Sequence, residues 1–206
     1  GLLDATRDIV ETILLSDVPF AVYVAPEGAQ AASAGTFVGA AADILIMAPA
    51  TNIGAAAVVS GDGSDLPETL GEKASQDAAA FIRSIAERRD RNISALEDTV
   101  LLASAYSASE AVELGIADLM AVDYGSLLHQ LDGYVIDSGE DATTLDLADV
   151  TTTTVDFSLL EQLLAFISNP NIAFLLVSLG GLGVIVELWH PGLWVPGTLG
   201  ILFLVL

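Results

Sequence analysis

Few residues in this chain could do chemistry, and what is missing narrows the choice. There is no cysteine, so thiol nucleophiles, disulfides and thiolate metal sites are excluded, and with only His129 and His190 a multi-histidine metal site is not expected. No metal or other cofactor is called for. One serine stands out by its neighbours: Ala31-Ala32-Ser33-Ala34-Gly35 sets a hydroxyl among residues with almost no side chain, after an expected strand and turn and at the expected start of a helix. Small neighbours let a carbonyl group approach, and the backbone N–H of Ala34 is placed to join an oxyanion hole. A serine selected for tight helix packing fits the same string.

A nucleophilic serine needs a base. His190 lies beyond a long apolar run, and His129 sits in polar Leu128-His129-Gln130, the setting of a surface imidazole, so neither suits a Ser-His-Asp triad. What remains is a Ser-Lys dyad, in which a neutral amine takes the hydroxyl proton. Lys73 is the single lysine of the chain. It stands where an acidic loop meets an amphipathic helix, and a solvated helix lysine is the other reading of it.

The elements that must position these residues alternate as in an α/β fold. Ile9, Val10, Ile13 and Leu14 have helical spacing, Pro19 to Val24 reads as a buried strand, and Asp43 to Met47 as a second one after the Ala-rich stretch. Ser60 to Glu72 is polar and rich in Gly and acid, a loop. Ala74, Ala78, Phe81, Ile82 and Ile85 then predict an amphipathic helix with Arg88 and Arg89 near its carboxyl end, where the dipole favours cations. A further helix is expected over 93–105, a capping box at Ser107 and Glu110 before a helix stopped by Gly115, and a closing strand over Ile116 to Val122. Thr151, Thr153, Val155 and Phe157 alternate as a strand would.

Three parts are expected: a globular body over 1–135, an acidic, Thr-rich connector with an amphipathic segment over 136–170, and a membrane part over 171–206. Ile172 to Trp189 carries Glu187 as its only charge and is long enough to cross a bilayer. Trp189 and Trp194 flank a His190-Pro191-Gly192 break, and Thr198 to Leu206 opens a second span, so a multi-pass protein is expected. A core helix of a larger soluble protein is the alternative.

Composition bounds the partners. The 206 residues carry 6 basic and 28 acidic side chains, a formal charge of −22, which repels phosphate backbones and anionic lipid. Nucleic acid is excluded as a partner. Charged residues are nonetheless 17% against 53% hydrophobic, so the chain folds, with an acidic shell over an apolar interior. That shell, and arginine used in place of lysine, fit a halophilic protein.

Ser33 and Lys73 together resemble the active site of NfeD proteins in their long, stomatin-associated form, membrane-bound serine proteases of the ClpP class. The matching pieces are Gly1-Leu2-Leu3-Asp4, Val22-Tyr23-Val24-Ala25-Pro26, Gly28 to Thr36, and Met47-Ala48-Pro49-Ala50-Thr51-Asn52-Ile53-Gly54-Ala55. Ala80 to Ala86, Arg91-Asn92, Ser107 to Ala111, Asn169-Pro170, Glu187 and Pro191-Gly192 continue the likeness, which runs over nearly the whole chain. Ala50 departs from it, standing where a glycine is common after that proline.

The resemblance implies a ClpP/crotonase-like spiral of ββα units, N-terminally truncated here, followed by transmembrane helices and a cytoplasmic β-barrel domain. It implies Ser33 as nucleophile, Lys73 as general base, and the backbone N–H groups of Gly1 and Ala34 as the oxyanion hole. It further implies a cell-membrane protein with an extracytoplasmic protease domain and a homo-oligomer. The implied substrate is a hydrophobic peptide segment of a stomatin/prohibitin-type membrane partner. A non-catalytic membrane scaffold for that partner, and a soluble acyl-CoA-handling enzyme of the crotonase type, are the rival readings.

Overall fold

A computed structural model describes residues 3–59, 67–137, 142–148, 150–167, 169–190, 192 and 194–205; Gly1 lies outside them. By internal contacts the chain forms two units, Gly1–Val150 and Thr151–Leu206.

In the first unit, short β-branched runs alternate with Ala-rich stretches, and the chain repeats a ββα path. Helix α1 (Leu3–Leu14) leads to β1 (Ala21–Val24), β2 (Gln30–Ala32) and α2 (Ala34–Ala41). The second repeat is β3 (Ile44–Met47), β4 (Asn52–Gly54) and α3 (Glu68–Arg88), followed by α4 (Ile93–Leu101). Then come β5 (Ala105–Ser107), α5 (Ala108–Glu113), β6 (Leu119–Met120), α6 (Tyr124–Leu131) and an antiparallel pair, β7 (Val135–Asp137) and β8 (Ala142–Thr144).

The first strand of each repeat joins one sheet, ordered β1-β3-β6 and parallel, with Ala21 opposite Ile44 and Ile46 opposite Leu119. The second strand joins another, ordered β2-β4-β5, parallel between β2 and β4 and antiparallel at β5. Sending alternate strands to two sheets makes the path a spiral. All four residues of β3 are buried, as a central parallel strand covered on both faces requires. Its Leu45 and Met47 pack with Phe37, Ile53, Ile82 and Leu96, while Ile44 and Ile46 face Leu127, Leu131 and Ile136. Leu145 and Leu147 pack on that second cluster, so the packed body continues past residue 135.

Arg91 joins these layers. Buried to 6% exposure, it donates from Nε to the Ala40 carbonyl at 3.1 Å, from Nη1 to Ile116 at 2.7 Å, and from Nη2 to Ala42 at 3.1 Å and Asp118 Oδ2 at 2.9 Å. Asp118 Oδ2 also accepts the Leu45 N–H at 2.6 Å. With Asp118 turned to these donors, the expected strand over Ile116 to Val122 shortens to Leu119–Met120. The helix expected over 93–105 ends at Leu101, because Ala105–Ser107 is drawn into pairing with β4.

The second unit holds α7 (Leu159–Ile167), α8 (Pro170–Trp189) and α9 (Val195–Val205). Thr151 to Phe157 form no strand and are exposed; β-branched alternation gains nothing without an edge to pair with. Among the described residues one helix is long and apolar enough to cross a membrane, Ile172–Trp189, with mean hydropathy 2.2 and 6% of the window buried. That low burial is not that of a core helix. α9 is shorter and packs closely on α8: a Cβ at Gly200 would stand 2.7 Å from the Gly180 carbonyl oxygen.

Two stability outcomes follow from the first unit. Arg91→Ala strips Asp118 and three carbonyls of a buried partner and should cost about 3–5 kcal/mol, with Arg91→Lys recovering only part because one ammonium cannot fill the fork. Ala50 has φ 57°, which explains the preference for glycine there, and Ala50→Gly should stabilise by about 1 kcal/mol. Thermal unfolding of the full chain in detergent reads both.

Candidate active site

Ser33 occupies the single residue between the end of β2 and the start of α2. It has φ 54° and ψ −121°, a conformation that L-residues avoid, and its side chain makes no capping bond to the helix. The surrounding backbone holds it there. Ser33 N–H donates to the Gly54 carbonyl at 3.2 Å, and Thr36 N–H to the Ser33 carbonyl at 3.0 Å. The buried Thr36 Oγ1 stands 2.9 Å from the carbonyl oxygens of both Ala31 and Gly54, so one hydroxyl joins the helix's first turn to the ends of β2 and β4. A strained residue persists where its surroundings over-determine it.

Gly54 completes the clamp. Its φ is +131°, and a Cβ there would meet the Ser104 carbonyl and stand 2.7 Å from Ala105 Cα. Only glycine lets β5 approach while leaving the Gly54 carbonyl aimed at Ser33 and Thr36. The result is a strand, a sharp turn carrying a partly exposed serine at positive φ, and a helix, the arrangement of a nucleophile elbow. Ala34 is the first residue of α2, so its N–H has no acceptor within the helix and lies at the positive end of the dipole.

Lys73 lies in the second turn of α3 and is exposed. Helices α2 and α3 run in the same direction. Phe37 stacks on Phe81 with centroids 5.6 Å apart, and further along both helices Arg89 Nε donates to the Ala41 carbonyl at 2.7 Å. Their amino ends, bearing Ser33 and Lys73, are therefore at the same end of the pair. Arg7 fixes that part of α3 from α1: its guanidinium lies 4.3 Å from the Phe81 ring centroid and bonds Asp77, one turn beyond Lys73, at 2.6 Å.

Both histidines are exposed, His129 in the last turn of α6 and His190, in the second unit, after α8. Among the described residues no group of three or more histidines and carboxylates could hold a metal ion. A cleft of about 610 Å³, lined by Asp43, Arg89, Asp118 and Tyr134, lies at the carboxyl end of α3, away from Lys73. Three of its charged side chains are already paired: Arg89 with Asp43, and Asp118 with Arg91. Thr36 and Gly54 had no assigned role in the sequence, and their only local signal was a hydroxyl and a glycine inside Ala-rich strings.

No family model matches the chain. It is 32% identical over its whole length to the membrane-bound protease PH1510 of Pyrococcus horikoshii and 29% identical to the membrane protein NfeD1b of Bacillus subtilis. It spans about half of each, 47% and 45%. Among solved structures it resembles the 1510-N membrane-bound stomatin-specific protease. A lysine-to-alanine mutant with a substrate peptide superposes with TM-score 0.72 and 29% identity over 81% of this chain and 78% of the other. A serine-to-alanine mutant gives 0.69 over 77% and 78%.

The first unit is thus an α/β spiral of ββα repeats that shares the fold of these solved protease structures, with a partly exposed serine on a strained turn. Over its full length the chain is similar to these two membrane proteins, the Bacillus subtilis one an NfeD protein.

Gly54→Ala should cost about 3 kcal/mol, from backbone overlap plus strain at positive φ. Thr36→Val, which removes the one buried hydroxyl shared between the Ala31 and Gly54 carbonyls, should cost about 1–2 kcal/mol. Denaturant unfolding of both variants measures the clamp on Ser33; wild-type stability in Gly54→Ala would refute it.

Proposed function

We propose that the complete protein is a membrane-bound serine endopeptidase working through a Ser33–Lys73 dyad. The observation that carries this reading is the backbone of Ser33, held at φ 54° between β2 and α2 by Gly54 and Thr36. A packing serine has no need of that strain.

In the first step Ser33 Oγ bonds to the scissile carbonyl carbon while its proton passes to the neutral Lys73 amine. The carbonyl π electrons move to the oxygen, which takes hydrogen bonds from the N–H groups of Ala34 and Gly1. Collapse of the tetrahedral intermediate breaks the C–N bond, and the Lys73 proton leaves on the new amine. Water then attacks the acyl-serine, again giving a proton to Lys73, and Ser33 is regenerated.

The substrate is a hydrophobic segment of a stomatin/prohibitin-type partner, a reading supported by the stomatin-specific protease among the relatives. The first unit works extracytoplasmically, anchored by α8 and by a further span begun in α9, as a homo-oligomer. The surplus of 22 negative charges suits a salt-rich medium.

The test uses the complete protein in detergent at high potassium chloride with a fluorophosphonate probe. Wild type should label, Ser33→Ala should not, and Lys73→Ala should label about 1,000-fold more slowly or worse, with thermal unfolding unchanged in each. Undiminished labelling of Ser33→Ala would remove Ser33 from the mechanism. A folded wild type that neither labels nor cleaves in a broad peptide screen would make the protein a scaffold for its partner.

A further inference from the structure

Helix α7 is fixed by its own sequence. Ser158 N–H donates to Glu161 Oε2 at 2.7 Å, and Glu161 N–H to Ser158 Oγ at 3.3 Å, a capping box at its start. At about 100° per residue, Leu159, Leu160, Leu163, Leu164, Phe166 and Ile167 fill one continuous arc, with Glu161, Gln162 and Ala165 opposite. None of its residues is buried: Leu159 is 84% exposed, Leu163 52% and Phe166 60%. A nine-residue helix is not stable in water by itself, so this apolar face has a partner.

The connection to α8 says which partner. Two residues of sequence separate Ile167 from Pro170, and the chain turns tightly there, Asn169 N–H donating to the Phe166 carbonyl at 3.2 Å and Ala173 N–H to Asn169 at 2.9 Å. Such a junction reaches roughly 10 Å at most. The headgroup zone on each side of a bilayer is about 5–7 Å deep, so with α8 in the hydrocarbon, the carboxyl end of α7 stays at the membrane surface. All six basic residues precede Thr151, so attraction to anionic lipid plays no part.

We propose that α7 lies in the membrane surface plane, with the Leu159, Leu163 and Phe166 face in the acyl boundary and Glu161 and Gln162 toward water. The bilayer itself is the occupant of this face. Apolar burial drives the contact, which zwitterionic lipid satisfies.

These 206 residues contain no cysteine, so each single substitution adds one thiol at a known position, and any cysteine elsewhere in the full-length protein is first replaced by serine. Glu161→Cys, Leu163→Cys, Ala165→Cys and Phe166→Cys, with Leu182→Cys on α8 as the reference, are made in the full-length protein. Each is nitroxide-labelled and reconstituted in phosphatidylcholine vesicles. Labels at 163 and 166, like that at 182, should collide several-fold more with oxygen than with an aqueous nickel chelate, and labels at 161 and 165 the reverse. The pattern should persist when anionic phosphatidylglycerol replaces part of the lipid. Nickel access at all four α7 positions would overturn the proposal, as would shielding of 163 and 166 from both reagents, which would mean that protein covers the face. A water-exposed label at 182 would overturn it too, by removing α8 from the bilayer.

Discussion

The guanidinium of Arg91 is the tie on which the first unit depends. It reaches the last turn of α2 through Ala40 and Ala42, the loop before β6 through Ile116, and, by way of Asp118, the backbone of β3 at Leu45. A buried cation tolerates no loss of its partners, so the positions of all three segments are fixed together. Arginine suits the place because its planar fork addresses carbonyls and a carboxylate from one point. Burial and the Asp118 carboxylate push the nearby Tyr134 hydroxyl up, with Arg91 opposing them.

Fixing the carboxyl end of α2 matters because its amino end carries Ser33. An eight-residue helix has little stability of its own and takes its direction from what holds its termini. At one end are Arg89 and Arg91; at the other, Thr36 and the carbonyl of Gly54. Between them Phe37 packs on Phe81, which aligns α3 with it. The positive φ of Ser33 therefore costs energy that the two clamps supply, and the hydroxyl is left outside the helix's own hydrogen bonding.

The features legible in the sequence were those set by neighbours a few residues away. The capping box of Ser107 and Glu110 is formed, with the carboxylate of Glu110 held below its usual range by its bonds to Ser107. The periodicity of Ala74 to Ile85 marked α3, and the apolar run of Ile172 to Trp189 marked α8. Ser33 was visible through its small neighbours, but its strain was not, because that depends on β4 and β5 arriving from residues 54 and 104. Thr36 and Gly54 were hidden for the same reason. The Thr151 to Phe157 alternation misled because pattern alone does not provide a strand to pair with.

Charge use separates the one lysine from the five arginines. Arg7, Arg83, Arg89 and Arg91 each pair with a carboxylate on another element: Asp77, Glu97, Asp43 and Asp118. Arg88 sits in the last turn of α3, where the helix dipole holds it. Arginine thus serves as internal fastening in a chain whose acids outnumber its bases 28 to 6. Lys73 has none of these duties: among the described residues no ion pair engages it, and it stands exposed in the second turn of α3. An amine, unlike a guanidinium, is a group that can act as a base, which is what the proposed dyad with Ser33 would use.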